Sequence, residues 1–377
     1  MISAPLMMIG FSPRASAAWH SGQSAWMEAI AAAGSVSGGR TSMVWGMGRV
    51  RMAGRDCMAR ATAMSAKPVR SVRPVPGHRP ACRTRAAGFR TRRGSRILRA
   101  DVVTFLFGAG SMLGWSIWRE RAGETIGFCN ASTRRLPDGV SHAIDLDDEA
   151  AVRDLFARAR PSLIINCAGV CDVETCERSP DFAWEVNVVG TRLLCEHAPP
   201  EVRLVHCSSD HVFGGDAGPY DEASPTAPIS VYGRTRVAAE AHVLARANTV
   251  VVRAGLWIGP SATGRIGHLD WLRHRHERGL PMTVVADEHR SAVWATDAAR
   301  RVWAIARSDV TGVRHITATR TVSRPELADY LVRRFDLGAR FALARRADRP
   351  TPHLGRVDLA TRYQDDLAAP LPSVVGG

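Results

Sequence analysis

From Val102 onward the chain alternates short apolar runs with amphipathic stretches, and this alternation restricts the fold more than any other feature. Runs of strand length occupy 102–108 (VVTFLFG), 124–130 (ETIGFCN), 142–146 (HAIDL), 161–169 (PSLIINCAG), 202–209 (VRLVHCSS) and 249–259 (TVVVRAGLWIG). Helical patterns separate them: 111–123, with Leu113, Ile117 and Trp118 on one face; 147–160, whose acids open the first turn; 181–198; and 231–247. Strands apolar on both faces must be covered on both sides, and helical crossovers between parallel strands supply that cover. The expected class is therefore α/β, a doubly wound, Rossmann-like parallel sheet. Beyond it, 312–318 reads as a strand and 323–338 as a helix. The helix carries a Ser323/Glu326 capping pair, an early Pro325 and a Gly338 stop. Such segments are expected to form a smaller lobe over the carboxyl ends of the strands.

The formal charge of +14 points toward nucleic acid until its distribution is examined. Residues 1–100 hold 17 Lys and Arg but only two acids, Glu28 and Asp56, whereas residues 101–377 carry a net charge of −1. No nucleic-acid partner is expected for the folded body. The first hundred residues show no persistent apolar periodicity, so they are expected to be a disordered basic extension. A start codon placed too far upstream, with the true beginning at Val102 or Val103, is an equivalent reading; a transit peptide and a nucleic-acid arm are the alternatives. The sequence thus divides into the extension, a nucleotide-binding domain over 101–250, a substrate lobe over 251–365 and a flexible tail over 366–377. Residues 102–118 are uncharged but interrupted by Gly108, Gly110 and Gly114, so they read as strand, turn and helix rather than a membrane span. The eight cysteines include no CxxC, and Cys167, Cys171 and Cys176 are unevenly spaced. Reduced thiols in a cytoplasmic protein, with no metal site, are expected.

Chemistry concentrates at three places. The first strand runs into Gly108-Ala109-Gly110-Ser111-Met112-Leu113-Gly114. Glycines at a strand-to-helix turn let backbone approach a pyrophosphate, and the helix N-terminus supplies N–H groups. At the end of the second strand, an acid for the adenosine ribose is replaced by Asn130, followed by Arg134 and Arg135. Two guanidiniums suit a 2′-phosphate, so NADPH is favoured over NADH. Ser208 and Ser209 end the fifth strand, and Tyr232 and Arg236 lie four apart on one helix face. A phenol beside a cation can exchange a proton with a carbonyl oxygen while a serine holds that oxygen.

Together these residues resemble the extended short-chain dehydrogenase/reductase family, and within it the dTDP-4-dehydrorhamnose reductase group. The likeness covers about 102–335. It rests on the glycine turn, Asp145-Leu146, Asn166-Cys167-Ala168-Gly169, Asn187 in VNVVGT, Ser208 to Phe213, PYDEASPTAPISVYGRTRVAAE, Arg253 and VSRPEL. The resemblance implies a catalytic set of Ser209, Tyr232 and Arg236. It places Asp145 and Leu146 beside the adenine, Ala168 and Gly169 along the nicotinamide, and Cys167 and Asn187 among the cofactor-binding residues. Three positions depart from the family pattern: Ser111 replaces the middle glycine, His211 a usual Tyr, and Arg236 the catalytic Lys.

The function so implied is NAD(P)H-dependent reduction of a 4-keto nucleotide sugar, with a homodimer left open and no membrane partner. Two alternatives stand: an epimerase or dehydratase on the same scaffold, for which Asp210 is the one candidate acid, and a non-catalytic nucleotide-binding or regulatory subunit, which Arg236 keeps open. His268, His274 and His276 are expected on a solvated basic helix, and Trp257 lines either a sugar pocket or the core.

Overall fold

Residues 103–130, 141–216, 218–264 and 266–376 are described by a computed structural model of the chain. The expectations for residues 1–100, and for Arg134 and Arg135, fall outside that range.

Strand β1 (Thr104–Phe107) is buried throughout and sends Phe105 and Phe107 to one face and Leu106 to the other. Helix α1 (Met112–Glu120) follows, capped by Ser111, whose hydroxyl accepts from the Gly114 backbone N–H. Strands β2 (Thr125–Cys129) and β3 (Ser141–Ala143) extend the sheet on one side. Helix α2 (Glu149–Arg158), capped by Asp148, leads into β4 (Leu163–Asn166). The long helical pattern after β4 is divided. Short helices α3 (Val173–Arg178) and α4 (Pro180–Trp184) come first, then a π-helical turn at Glu185–Val189, then α5 (Gly190–His197). Strand β5 (Arg203–Cys207), helix α6 (Val231–Leu244) and strand β6 (Thr249–Ala254) complete the nucleotide-fold half.

The apolar run over 249–259 is two strands rather than one. It breaks at Gly255, where a Cβ would lie 2.3 Å from the Ser291 carbonyl oxygen, and resumes as β7 (Leu256–Ile258) in a different sheet. Next come α7 (His268–Glu277), β8 (Thr283–Val285), β9 (His289–Trp294), α8 (Ala295–Ala306) and β10 (Gly312–Ile316). Strand β11 (Thr321–Ser323), helix α9 (Arg324–Arg334), β12 (Ala342–Ala344) and β13 (Arg356–Val357) follow.

Among the described residues, seven parallel strands form the main sheet in the order β10-β6-β5-β4-β1-β2-β3. The parallel class expected from the sequence is therefore present. Strand β10, from the segment assigned to the substrate lobe, closes the far edge of this sheet by pairing with β6. Two cores follow from the period-2 alternation. Phe105, Phe107, Phe128, Ile164, Leu204 and Val251 pack under α2 and α5. Leu106, Ile165, Val205, Val250 and Val252 pack with Ile117 of α1 and Val302 and Trp303 of α8. The Trp303 indole N–H donates to the Ile117 carbonyl at 3.0 Å, which satisfies its one polar atom inside that core. A third core, built on Leu256, Leu272, Met282, Ala292, Val322 and Leu331, belongs to the smaller sheet of β7, β9, β11 and β13 and the helices beside it. Strand order reverses between β1 and β4, and in open α/β sheets the ligand crevice lies at the carboxyl ends of the strands flanking that point.

Candidate active site

The crevice is shaped by two glycines. Gly108 has φ +78°, and a Cβ there would lie 2.6 Å from the backbone of Cys167 and Ala168, so β1 and β4 end in direct backbone contact. Gly169 is tighter still: a Cβ would meet Arg236 Nη2 at 2.3 Å and Asn187 Oδ1 at 2.7 Å. Ser111 serves as the α1 cap instead of crowding the turn, and Leu113 and Gly114 are buried while Met112 is partly covered beside Gly267. Leu146 is buried in the sheet core, and Asp145 and Asn130 are exposed.

Asn187 sits on the π-helical turn, and its amide is engaged by protein. Its Oδ1 accepts from the Val170 N–H at 2.8 Å, and its Nδ2 donates to the Val170 carbonyl and to Thr235 Oγ1. It thereby clips the 167–170 loop to α6, the helix that carries Tyr232 and Arg236. The wider π turn brings the amide level with both partners, a displacement the 3.6-residue period of the sequence does not show.

The two serines after β5 separate in role. Ser208 donates to Glu240 Oε1 at 2.5 Å, and Glu240 is held by Arg253 through a bidentate pair, with both charges buried. Ser209 lies on the side of Tyr232 and donates to Asp210 at 3.3 Å. Asp210 has both oxygens bound by Arg290 of β9, so the acid considered for a dehydratase is tied into an ion pair. Neither Glu240 nor Arg290 stood out in the sequence, because both are brought to the site by contacts across 13 to 80 residues.

Tyr232 is 6% and Arg236 4% exposed, and the guanidinium lies over the phenol ring, 5.1 Å from its centroid. The i, i+4 spacing therefore does place them together. Burial pushes the Tyr232 phenol up; the Arg236 charge and side-chain hydrogen bonds from Ser209 and Arg236 pull it down, and the balance stays above its ordinary value. The phenol is protonated at neutral pH and ready to give up a proton. Arg236 Nε and Nη1 are buried without hydrogen-bond partners. A buried phenol, a fixed cation, a serine hydroxyl and a glycine-floored crevice can hold a flat cofactor and protonate an oxygen beside it.

Residues 103–362 match the RmlD substrate binding domain. The chain belongs to this family. It is 36% identical over 197 residues to a probable dTDP-4,6-dihydroxy-2-methyloxan-3-one 4-ketoreductase of Streptomyces antibioticus, covering 51% of this chain and 66% of that protein. It is 31% identical over 226 residues to a dTDP-4-dehydrorhamnose reductase of Mycobacterium tuberculosis, covering 58% and 70%. The first of these alignments spans just under two thirds of the relative's length. A Bacillus anthracis dTDP-4-dehydrorhamnose reductase in complex with NADP superimposes with a TM-score of 0.61 at 21% identity, over 72% of this chain and 95% of that one. The shared fold is that of the extended short-chain dehydrogenase/reductase scaffold.

Of the remaining expectations, α7 is basic, with His274 and His276 exposed, but His268 turns inward to Arg324, 3.1 Å from Nη1. Trp257 packs against the main core. Among the described residues no helix is long and apolar enough to cross a membrane.

Proposed function

We propose that this protein is an NADPH-dependent reductase of a dTDP-4-keto-6-deoxy sugar. One observation carries the reading: a protonated, buried Tyr232 joined by Ser209 and Arg236 at the switch point of a family whose relatives include keto-sugar reductases. The residues fit a dinucleotide. Gly108 to Gly114 form the turn that takes its pyrophosphate, Cys167, Ala168 and Gly169 line its nicotinamide, and the unpartnered Arg236 nitrogens take ribose hydroxyls. Leu146 and Asp145 are assigned to the adenine side, the basic pair Arg134 and Arg135 after Asn130 supplies by sequence the charge for its ribose phosphate, and Asn187 positions the wall through the 167–170 loop. When bound, the reduced cofactor supplies a hydride to the ketone carbon.

The chain's own residues do the rest. Ser209 holds the ketone oxygen, Tyr232 delivers the proton to it as charge develops, and Arg236 stabilises the phenolate left behind. The deep burial that raises the phenol keeps the acid loaded for the next proton transfer. A homodimer is proposed as the assembly, checked by molar mass in solution.

The test is NADPH and NADH oxidation by the full chain with dTDP-4-keto-6-deoxyglucose and its epimers. Keto-sugar-dependent oxidation is expected; cofactor binding without turnover would support a non-catalytic subunit instead. That second reading rests on Arg236, a cation that keeps its proton where the family pattern has a lysine.

A further inference from the structure

The hydrogen-bond chain next to the catalytic serine ends on an atom that the mechanism leaves unused. His211 follows Asp210 in a short turn; its backbone N–H donates to Ser209 Oγ at 3.2 Å and its ring meets the Tyr232 ring edge-on at 5.1 Å. Its Nε2 lies 3.2 Å from Arg290 Nη1. Arginine has donors only, so Nε2 is the acceptor and the ring proton sits on Nδ1. Arg290 has no freedom to relax this choice. Its Nε and Nη2 hold the two oxygens of Asp210, and its Nη1 also donates to Glu288 Oε1 at 3.0 Å, while Glu288 Oε2 is 2.9 Å from His353 Nδ1. The His211 Nδ1–H has no partner in the protein and is covered. Buried donors are nearly always paired, so an unpaired one whose ring packs against Tyr232 calls for a partner.

We propose that Arg290 fixes His211 as a third hydrogen-bond donor of this site, its Nδ1–H taking a hydroxyl oxygen on the sugar carbon next to the reacting carbonyl. The proposal rests on the reductase reading for its substrate class. His211 is a specificity-determining contact and Arg290 a positioning residue that acts through it. A sugar lacking that hydroxyl leaves the donor unpaired, so the site discriminates by the oxygen beside the carbonyl as well as by the carbonyl itself.

The experiment is calorimetric titration of the full chain, saturated with NADP⁺, with dTDP-rhamnose and with its 3-deoxy analogue. His211→Gln places its amide where Nε2 stood and leaves the Nδ1 position empty; His211→Asn restores a nitrogen at Nδ1. The Gln variant is expected to bind dTDP-rhamnose roughly 3- to 10-fold more weakly, the worth of one neutral hydrogen bond, and the Asn variant to recover most of that loss. The 3-deoxy analogue should suffer a similar penalty with the wild-type protein and no further penalty with the Gln variant. Thermal melts report whether each variant is folded, and ¹⁵N shifts of the wild-type imidazole should show Nδ1 protonated and Nε2 bare. Equal binding by all three proteins, a 3-deoxy penalty undiminished in the Gln variant, an Nε2–H tautomer, or no binding of dTDP-rhamnose at all overturns the proposal. Keto-sugar turnover is measured separately. Its absence alongside the expected binding pattern defeats the reductase reading and leaves the His211 contact standing.

Discussion

At the residue scale the site turns on one phenol and the cation beside it. Tyr232→Phe removes the transferable proton and little else, so cofactor affinity should be retained while turnover falls by about 10²–10⁴-fold or more; stopped assays alongside fluorescence titration of NADPH separate the two. Because the phenol stays above its ordinary value near 10, reduction should show no alkaline limb below about pH 9. Arg236→Lys is expected to keep or raise the rate, since an ammonium on the same face still supports the phenol and fits two ribose hydroxyls more compactly than a guanidinium fork. A rate collapse in the Lys variant would show that the site has been rebuilt around arginine. Arg134 and Arg135 are the residues proposed to recognise the 2′-phosphate. Replacing both by Ala should weaken NADPH by about 1.5–3 kcal/mol for each charged hydrogen bond lost and hardly change NADH; equal losses for the two dinucleotides would remove the 2′-phosphate from their role.

At the element scale a chain whose single lysine is Lys67 meets its structural needs with arginine. Arg203, buried at the start of β5, donates to the Ile305, Ala306 and Val310 carbonyls and so closes the C-terminal end of α8. Arg246 does the same beyond α5, gathering the carbonyls of Cys195, Ala198, Pro199 and Val202. The last carbonyls of a helix have no intrahelical partner, and a planar fork of donors can collect several at once where an ammonium collects fewer. Arg203→Ala should therefore destabilise the fold by about 2–3 kcal/mol, with Lys recovering only part; urea unfolding with an unchanged m-value measures it. A loss below about 0.5 kcal/mol would mean that water replaces the guanidinium at this helix end. The π turn at Glu185–Val189 shows the same economy from the other side, since one widened turn delivers Asn187 to both the 167–170 loop and Thr235.

At the scale of the whole molecule, buried histidines set the response to acid. Burial, with the Arg236 charge behind it, lowers His206 to about 3. Burial and Arg290 lower His211, and burial and Arg324 lower His268, both well below 6.5. The unfolded chain binds these protons from about pH 6.5 downward and the folded chain does not. Stability is therefore full above pH 6.5 and falls as the pH drops, by as much as about 1.4 kcal/mol per pH unit for each histidine. Melting temperatures between pH 7.5 and 5 should trace this decline. His206→Asn should flatten it, and an unchanged slope in that variant would remove His206 from the account. Glu288, held below the usual carboxylate range by His353, Arg324 and Arg290 in spite of its burial, adds a loss that begins only below its unfolded value near 4.5.

Local pattern settled much of this protein before any contact was known. Apolar runs on a period of two, helices on a period of 3.6, and glycines at the first turn are properties of neighbouring residues, and they fixed the parallel sheet, the crevice and the Tyr232–Arg236 pair. What tertiary structure alone decided lies where partners are far apart in the chain. Ser208 and Ser209 face opposite ways by the alternation of extended backbone, and the fold decided what each meets: Ser208 the Glu240–Arg253 pair, Ser209 the side of Tyr232. The 249–259 run split between two sheets because Gly255 passes against Ser291, and β10 returned to the main sheet through its pairing with β6. His211 met an arginine 79 residues away, which leaves its Nε2 the accepting nitrogen of the tautomer proposed above. Hydrogen bonds and ion pairs at such separations depend on where the fold delivers each group, and no periodicity in the sequence encodes that delivery.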